Sequence, residues 1–541
     1  MKQIILIIFI FFCTNAFTQN ETWFYLVAKD STVNPIFMPA EGNLQYAGNN
    51  PELKQIFSKY KIRTFKKTLK NAKKENLNKT FFVIADKEFL LEELLQKSRN
   101  IFISGQIIPK EQRKIFEPND YGLTSTIGSN IGLQAHLDYL DFLEVPKAWY
   151  YTVGNPNIII GISDTGLDTT DTDFAGKTKI IRKSIEGGHG KGVASLAAAT
   201  GNNAFGVPGV CYNCGIYSTT YGDFKNLDQL LELSNLGVKV INCSWYSTTR
   251  FDSAQEAVNK MFENGTILVV AAGNKNWQES KNGERLYYLA SYDNVISVSS
   301  AMYKYKTVEE NVVKSEKGFR YAENILGYVG RTMGFKDNDI SKPYIYPVSV
   351  TSLNREVDIL APSTGTFLYG NYLEKSDLVY DTNEHTSNAT PLVTGTVGLM
   401  FSLYPCLPVD EVESILKMTS LNIDHIEANK PYAGKYGAGI LNTGRAVEMV
   451  FDMFAENEVV TIENQKFSRW DFKLTSHSEV LIKNQEFTEN ATLNLTSKKR
   501  IVIAANTILK PSETGKIQLK INPNLERECE LQLRDPSILD D

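Results

Sequence analysis

Ser387 lies in the run His385-Thr386-Ser387-Asn388-Ala389-Thr390-Pro391-Leu392-Val393-Thr394-Gly395, which reads as a hydroxyl presented at the start of a helix. Val393, Val397, Leu399, Met400 and Leu403 then recur at spacings that bury one helical face, and Pro391 suits a first turn. At the positive end of a helix dipole a developing alkoxide is favoured. A serine is nevertheless a poor nucleophile until a base takes its proton and donors face the oxyanion it creates. An isolated Thr-Ser before a helix is more simply an N-cap, so the rest of the chain must supply those helpers.

The chain has 5 histidines: His136, His189, His385, His425 and His477. His189 stands in Gly187-Gly188-His189-Gly190-Lys191-Gly192-Val193-Ala194, where a glycine-rich loop turns into a helix of small residues. Glycines on both sides let the backbone turn tightly, and the small residues let the helix pack closely in a core. A helix-start histidine bonded to its own loop is the plainer reading of that segment alone. Asp164 ends the apolar run Ile158-Ile159-Ile160-Gly161-Ile162-Ser163, a strand buried on both faces, and Thr165-Gly166 turns the chain at once. A carboxylate at the C-terminal edge of a parallel strand sits where open α/β sheets build their sites, and fixes an imidazole's tautomer when it faces one. Asn274 follows another buried strand, Thr266 to Gly273, and its carboxamide is a candidate oxyanion donor as well as an ordinary turn residue.

With these stretches in one order on one chain, the sequence resembles the subtilisin-like serine proteases, the subtilases. The acid motif matches Asp164-Thr165-Gly166, the histidine motif His189-Gly190-Lys191-Gly192-Val193-Ala194, the oxyanion asparagine Asn274, and the nucleophile motif Thr386-Ser387-Asn388-Ala389-Thr390-Pro391. Supporting matches are Asn202 to Val210, Gly237 to Ser244 and Tyr288 to Val298, so the likeness spans about Tyr121 to Val450. It implies Asp164, His189 and Ser387 as catalytic residues, Asn274 in an oxyanion hole, and Ser244 and Gly273 binding substrate backbone by β-pairing. It also implies structural calcium held by Asp173 with Asn202 or Asn203, and no cofactor for the chemistry itself. The chain departs from the family pattern at His385, where a glycine is usual, at Asn388, where a methionine is usual, and at Gly192, where a second histidine is common.

Two alternatives share these residues. Asp-Thr-Gly also marks aspartic proteases, which hold one proton between two aspartates, but only one Asp-Thr-Gly occurs here. A silent subtilase scaffold that only binds partners would have no need of the complete set of side chains.

The elements that must position these groups follow from length and pattern. A chain of 541 residues exceeds one ordinary domain. With 57 basic and 62 acidic side chains the net charge is −5, too mild to argue for nucleic acid or an anionic membrane as a partner, and no later segment is apolar for long enough to span a bilayer. Met1-Lys2-Gln3, the apolar Ile4 to Phe12, and Ala16-Phe17-Thr18 read as a signal peptide over residues 1–18, which implies export to the cell surface or beyond. Cys13 lies inside it behind the bulky Phe12, a poor context for a lipid anchor. Of the exported cysteines, Cys211 and Cys214 form a lone Cys-x-x-Cys, either a loop disulfide or two unpaired small residues, and Cys243 reads as core packing.

Residues 19–117 alternate strand, helix, strand, helix, strand: Trp23 to Ala28, Leu53 to Tyr60, Thr80 to Ala85, Glu88 to Lys97 and Ile101 to Ser104, with a lysine-rich stretch from Lys66 to Lys79. Position and pattern resemble the subtilase propeptide, an intramolecular inhibitor cut off near Phe116 to Tyr121. Residues 118–454 form the catalytic part, interrupted by an insertion at about 301–347 that mixes charge and aromatics. Residues 455–541 alternate in short β runs, a β sandwich or β-solenoid module. The expected fold class is α/β: a mostly parallel sheet flanked by helices, with a small α+β domain before it and a small all-β domain after it. The expected partners are protein or peptide substrates and the chain's own propeptide.

Overall fold

The computed structural model describes residues 22–40, 43–67, 79–109, 113–125, 131–274, 285–345, 352–366, 385–535 and 538. The apolar leader and most of the lysine-rich stretch lie outside the described residues. The chain divides into two compact units, Met1–Lys114 and Ile115–Asp541.

The first unit is an antiparallel sheet in the order β2-β3-β4-β5-β1-β6, formed by β1 (Thr22–Ala28), β2 (Phe37–Ala40), β3 (Asn43–Tyr46), β4 (Ile62–Lys67), β5 (Thr80–Ala85) and β6 (Phe102–Ile107). β1 alternates strictly, with Phe24, Leu26 and Ala28 fully buried on one face. That face packs with α1 (Pro51–Phe57) and α2 (Phe89–Lys97) through Leu53, Ile56, Leu90 and Leu94. The Asn50 carboxamide accepts from Glu52 N and Leu53 N, and Pro51 opens α1, the usual chemistry of a helix start. Strands β2, β3 and β4 were not expected from the sequence. The first two are four residues each and one contains Pro39, while β4 runs into the lysines that read as a solvated face.

In the second unit, α3 (Asp138–Phe142) and α4 (Val145–Tyr151) precede a seven-stranded parallel sheet. Its strands are β7 (Ile159–Ser163), β8 (Thr178–Ile180), β9 (Gly215–Thr219), β10 (Val240–Cys243), β11 (Ile267–Ala271), β12 (Val295–Ala301) and, after an insertion, β17 (Ile359–Pro362), in the order β17-β12-β11-β10-β7-β9-β8. The helices between them are α5 (Gly188–Ala198), α6 (Asp228–Asn235) and α7 (Asp252–Glu263). β10 and β11 are buried at every residue, as expected for parallel strands covered on both faces. The insertion folds as two hairpins, β13 (Val312–Lys314) with β14 (Arg320–Ala322), and β15 (Thr332–Phe335) with β16 (Pro343–Ile345), over a small core of Val308, Ala322, Ile325 and Phe335.

Helix α8 (Thr386–Leu403) is buried along its whole length, packing over β10, β11, β12 and β17 and against α5. Gly395 makes that approach possible, since a Cβ there would lie 2.7 Å from Ala197 O. Helices α9 (Val409–Thr419) and α10 (Thr443–Phe454) follow.

The remaining strands stack as a β-solenoid rather than a sandwich. Three sheets hold three parallel strands each: β18 (Val459–Glu463), β21 (Glu479–Lys483) and β24 (Ile501–Ile503); β19 (Lys466–Phe467), β22 (Glu486–Glu489) and β25 (Ile508–Pro511); β20 (Asp471–Ser476), β23 (Thr492–Ser497) and β26 (Lys516–Ile521). Val460, Ile462, Phe472, Leu474, Phe487, Leu493 and Leu495 fill its interior. The tail then returns along the rest of the unit: Cys529 is disulfide-bonded to Cys406, Gln532 N donates to Leu403 O at 2.8 Å, and Arg534 N donates to Tyr151 O at 2.7 Å. The Arg534 guanidinium lies 4.3 Å from the ring centroid of Phe116. Phe116 N donates to Pro146 O, and Asp120 and Tyr121 are fully buried, so these residues are built into the second unit.

Candidate active site

Three strand ends set the frame. β7 and β10 pair with Ser163 opposite Cys243, and β10 and β11 with Cys243 opposite Val270, so Asp164, Ser244 and Gly273-Asn274 all leave the same edge of the sheet. This is the carboxyl edge, where the crossovers of a parallel sheet leave room for a site.

Asp164 is 3% exposed. Its Oδ1 accepts from Thr165 N at 2.7 Å and lies 2.7 Å from His189 Nδ1, while Oδ2 is buried with no hydrogen-bond partner among the described residues. The imidazole comes within reach because α5 starts against the Asp164-Thr165 turn. Thr165 Oγ1 donates to Gly187 O and accepts from Gly190 N at 2.7 Å, and a Cβ on Gly190 would lie 2.2 Å from Thr165 O. Only a glycine allows that approach. The His189 side chain is 49% exposed, so the ring that touches the buried carboxylate is itself only half-buried. With the Nδ1 proton given to Asp164, Nε2 is the basic nitrogen.

The nucleophile candidate is held from both flanks. Ser387 Oγ donates to Ser244 O at 3.3 Å, and Ser244 Oγ donates to Ser387 O at 3.1 Å. The second bond has a cause in the sequence. Pro391 stands four residues after Ser387 and has no N–H, so the Ser387 carbonyl loses its helical donor and Ser244 provides one. Because α8 already begins at Thr386, Pro391 falls in the second turn and not, as expected, in the first. Behind Ser244 a buried chain continues: Asn242 Nδ2 donates to Ser244 Oγ at 3.0 Å, and Thr394 Oγ1 donates to Asn242 Oδ1 at 3.0 Å.

On the other flank Asn274 Oδ1 accepts from Thr386 N at 2.8 Å and from Thr386 Oγ1 at 2.9 Å, capping α8 from a neighbouring strand. Its carboxamide is thereby oriented, and Nδ2 has no partner among the described residues. The Ser387 backbone N–H lies in the first turn of α8, where amides have no helical acceptor. Gly273 has φ +102°, and Tyr287 packs directly on it. Of the departures from the family pattern, His385 is the extended residue before α8 and makes no side-chain cap bond, Asn388 is buried with Nδ2 on Thr366 Oγ1 at 3.3 Å, and Gly192 is buried within α5.

The Subtilase family profile matches residues 155–443, more than half of the chain and the segment that holds every group just described. The chain belongs to the subtilase family. This subtilase is a serine protease of the subtilisin-like kind, a hydrolase. It is 27% identical over 305 residues to subtilisin DY of Bacillus licheniformis, covering 54% of this chain and 91% of that one. To a calcium-dependent protease of Trichormus variabilis it is 27% identical over 395 residues, covering 65% of this chain and 54% of the relative. Among solved structures, fervidolysin of Fervidobacterium pennivorans aligns with a TM-score of 0.43 at 18% identity, over 80% of this chain and 61% of that one. The aspartic-protease alternative falls, since the partner of Asp164 is an imidazole and not a second carboxyl.

The residues implied for calcium lie in a separate loop cluster of the subtilase. Asp173 is fully buried, its Oδ1 accepts from Asn203 Nδ2 at 2.9 Å, and its Oδ2 is without a hydrogen-bond partner among the described residues. Burial, with Asp171 and Asp120 nearby, pushes its carboxyl up to about 7 although the Asn203 bond opposes this. An orphaned carboxylate oxygen of this kind fits a hard cation. Asn202 fits less well, because its Oδ1 already accepts from Asn119 N at 3.1 Å. Among the described residues no group of three or more His, Cys, Asp or Glu side chains is arranged to hold a metal ion.

The sequence reading missed Asn242, Thr394 and Thr386 as parts of the site. Asn242 carried a signal, a lone carboxamide in the apolar run Val240-Ile241-Asn242-Cys243. It also missed Cys406 with Cys529, whereas the Cys211–Cys214 disulfide forms and Cys243 is a buried free thiol.

Proposed function

We propose that this subtilase is an exported endopeptidase, made as a self-cleaving zymogen, that hydrolyses peptide bonds through an acyl-enzyme on Ser387. The contact of His189 Nδ1 with the buried Asp164 carboxylate at 2.7 Å carries the reading, because a carboxylate that accepts from Nδ1 leaves Nε2 as the base for a serine hydroxyl. Ser387 Oγ gives up its long bond to Ser244 O and attacks the scissile carbonyl carbon as His189 Nε2 takes its proton. Asp164 stabilises the imidazolium. The oxyanion accepts from Asn274 Nδ2 and Ser387 N–H; in subtilisin the asparagine donor is worth about 10²- to 10³-fold in rate. Collapse expels the amine, which takes the proton from His189 and leaves an ester on Ser387. Water then attacks the acyl carbon as His189 takes its proton, and collapse breaks the bond to Ser387 Oγ, which recovers the proton from His189 as the acid leaves.

Protein or peptide chains are the substrates, laid along the Ser244 and Gly273 segments by β-pairing. The first unit, after a leader at 1–18, acts as propeptide and intramolecular inhibitor. Processing falls before Ile115, because a cut at 116–121 would remove Phe116 and Asp120 from their packing in the second unit. Asp173 would hold a structural calcium ion together with oxygens of the Asn202-Asn203 loop; bound there, the ion supplies counter-charge to a buried carboxylate and takes no part in bond breaking. Among the described residues no helix is long and apolar enough to cross a membrane.

A fluorophosphonate probe tests the reading. Labelling of the purified enzyme that is lost in Ser387→Ala is expected; a folded wild type that takes no label supports a silent scaffold instead. Persistent trimming of pure Ser387→Ala before Ile115 would exclude self-processing.

A further inference from the structure

β12 and β17 are parallel neighbours with Ala301 opposite Pro362, so the insertion begins at the carboxyl edge of the sheet and the turn Ser363–Thr366 leaves β17 at that same edge. Side chains fasten the two together. Asn324, 5% exposed within the insertion, accepts through Oδ1 from Tyr303 N at 2.8 Å and Lys304 N at 3.2 Å, and donates through Nδ2 to Thr364 O at 3.3 Å. The Tyr303 hydroxyl donates to the next carbonyl, Gly365 O, at 3.3 Å. The base of the insertion is itself fixed: Asn429 Nδ2 donates to Gly327 O at 2.8 Å, Asn429 Oδ1 accepts from Val329 N at 3.2 Å, and Lys304 Nζ lies 2.8 Å from Asp138 Oδ2.

The turn held in this way reaches the nucleophile segment. Thr366 is fully buried; its Oγ1 donates to Ser363 O at 2.9 Å, which tightens the turn, and accepts from Asn388 Nδ2 at 3.3 Å. Asn388 follows Ser387 in the first turn of α8. Ser244 holds Ser387 and Asn274 holds Thr386, so Thr366 adds a third support to that turn. The support depends on a carboxamide, because a methionine, the usual family residue at this position, has no group to donate to Thr366.

We propose that Asn324 is a positioning residue for Ser387: from the insertion it holds the turn on which the Asn388 carboxamide rests, and so fixes the first turn of α8. This role rests on the endopeptidase reading above. Asn324 acts through Thr364, Thr366 and Asn388. A misplacement of about 1 Å at an attacking atom costs about 10²-fold in rate, and with two other supports intact the loss of this one is expected to cost about tenfold.

The test uses the whole matured enzyme and two readouts: the second-order rate of fluorophosphonate labelling at Ser387, and kcat and KM on fluorescein-labelled casein. Asn324→Asp keeps an acceptor for Tyr303 N and Lys304 N and loses the donor to Thr364 O. It is expected to lower the labelling rate and kcat about tenfold, with KM within about twofold of wild type. In an Asn388→Met background, where the link to Thr366 is already absent, the same substitution is expected to lower the rate by less than about twofold. An undiminished rate in Asn324→Asp overturns the proposal, as does an equal fall in both backgrounds, which marks two independent effects. Should Asn324→Asp not fold, Tyr303→Phe, which loses one hydroxyl, replaces it. A fall of about threefold confined to the Asn388 background is then expected, and no fall, or an equal fall in both backgrounds, overturns the proposal. A wild type that takes no label and cuts no casein defeats the endopeptidase reading and this proposal with it, whereas a labelled wild type with unaltered variants defeats the proposal alone.

Discussion

Thr394, two turns along α8 from Ser387, donates to the Asn242 carboxamide at 3.0 Å, and Asn242 in turn donates to Ser244 Oγ at 3.0 Å. The nucleophile's first turn is thus tied to a strand through buried groups that never meet substrate. Thr394→Val keeps the shape and removes the donor, leaving the Asn242 oxygen buried and unsatisfied at a cost of about 1–3 kcal/mol. The expected result is a fall of about tenfold in kcat with KM within twofold of wild type, and recovery in Thr394→Ser. A fall in melting temperature with unchanged kcat would assign Thr394 to stability alone.

Gly190→Ala places a Cβ 2.2 Å from Thr165 O, so α5 must retreat from the turn that carries Asp164. His189 then loses its 2.7 Å contact, and kcat should drop by at least about 10³-fold, together with fluorophosphonate labelling. Near-normal activity in this variant would show that the acid–imidazole contact is dispensable.

The two disulfides close loops of very different length. Cys406 and Cys529 are 123 residues apart and Cys211 and Cys214 only 3. On chain entropy the long closure is worth about 4–5 kcal/mol and the short one less than about 3. Cys529→Ser should therefore lower the urea midpoint more than Cys214→Ser, and the opposite order would mean that packing, not loop closure, decides.

Glu411 is fully buried where α9 meets β20; its Oε2 accepts from Thr475 N at 3.0 Å and its Oε1 has no hydrogen-bond partner among the described residues. Burial pushes this carboxyl up to about 7, partly opposed by the Thr475 bond. The folded chain thus binds the proton more tightly than the unfolded one. Stability is full below the ordinary glutamate range, declines as pH rises from there to about 7, and is level above it. Glu411→Gln removes this slope, so its advantage over wild type in urea unfolding should grow between pH 5 and pH 8, by at most about 3 kcal/mol. A constant difference across that range would show that Glu411 stays ionised in the fold.

The candidate acid, base and nucleophile could be picked out because each is announced locally: Asp164 by the end of an apolar strand, His189 by its glycines, Ser387 by the helix that follows it. What pairs over distance was not. Nothing within the nucleophile segment indicates that Ser244 replaces the donor Pro391 lacks, since the two residues are joined only when β10 and α8 pack. In the C-terminal module an alternating pattern identifies strands one at a time but not their neighbours. Sandwich and solenoid therefore remained open until Val459 was found beside Glu479 and Val480 beside Ile501 in parallel register.

The stacking of Arg534 on Phe116 brings a late segment of the second unit beside its beginning. A linker of a few residues would join them, so this unit is suited to circular permutation, with new ends opened in an exposed turn such as the one at Gly318 between β13 and β14. Such a rearranged gene would place the first unit, now a separate polypeptide, under the experimenter's control, to be added or withheld at chosen concentration.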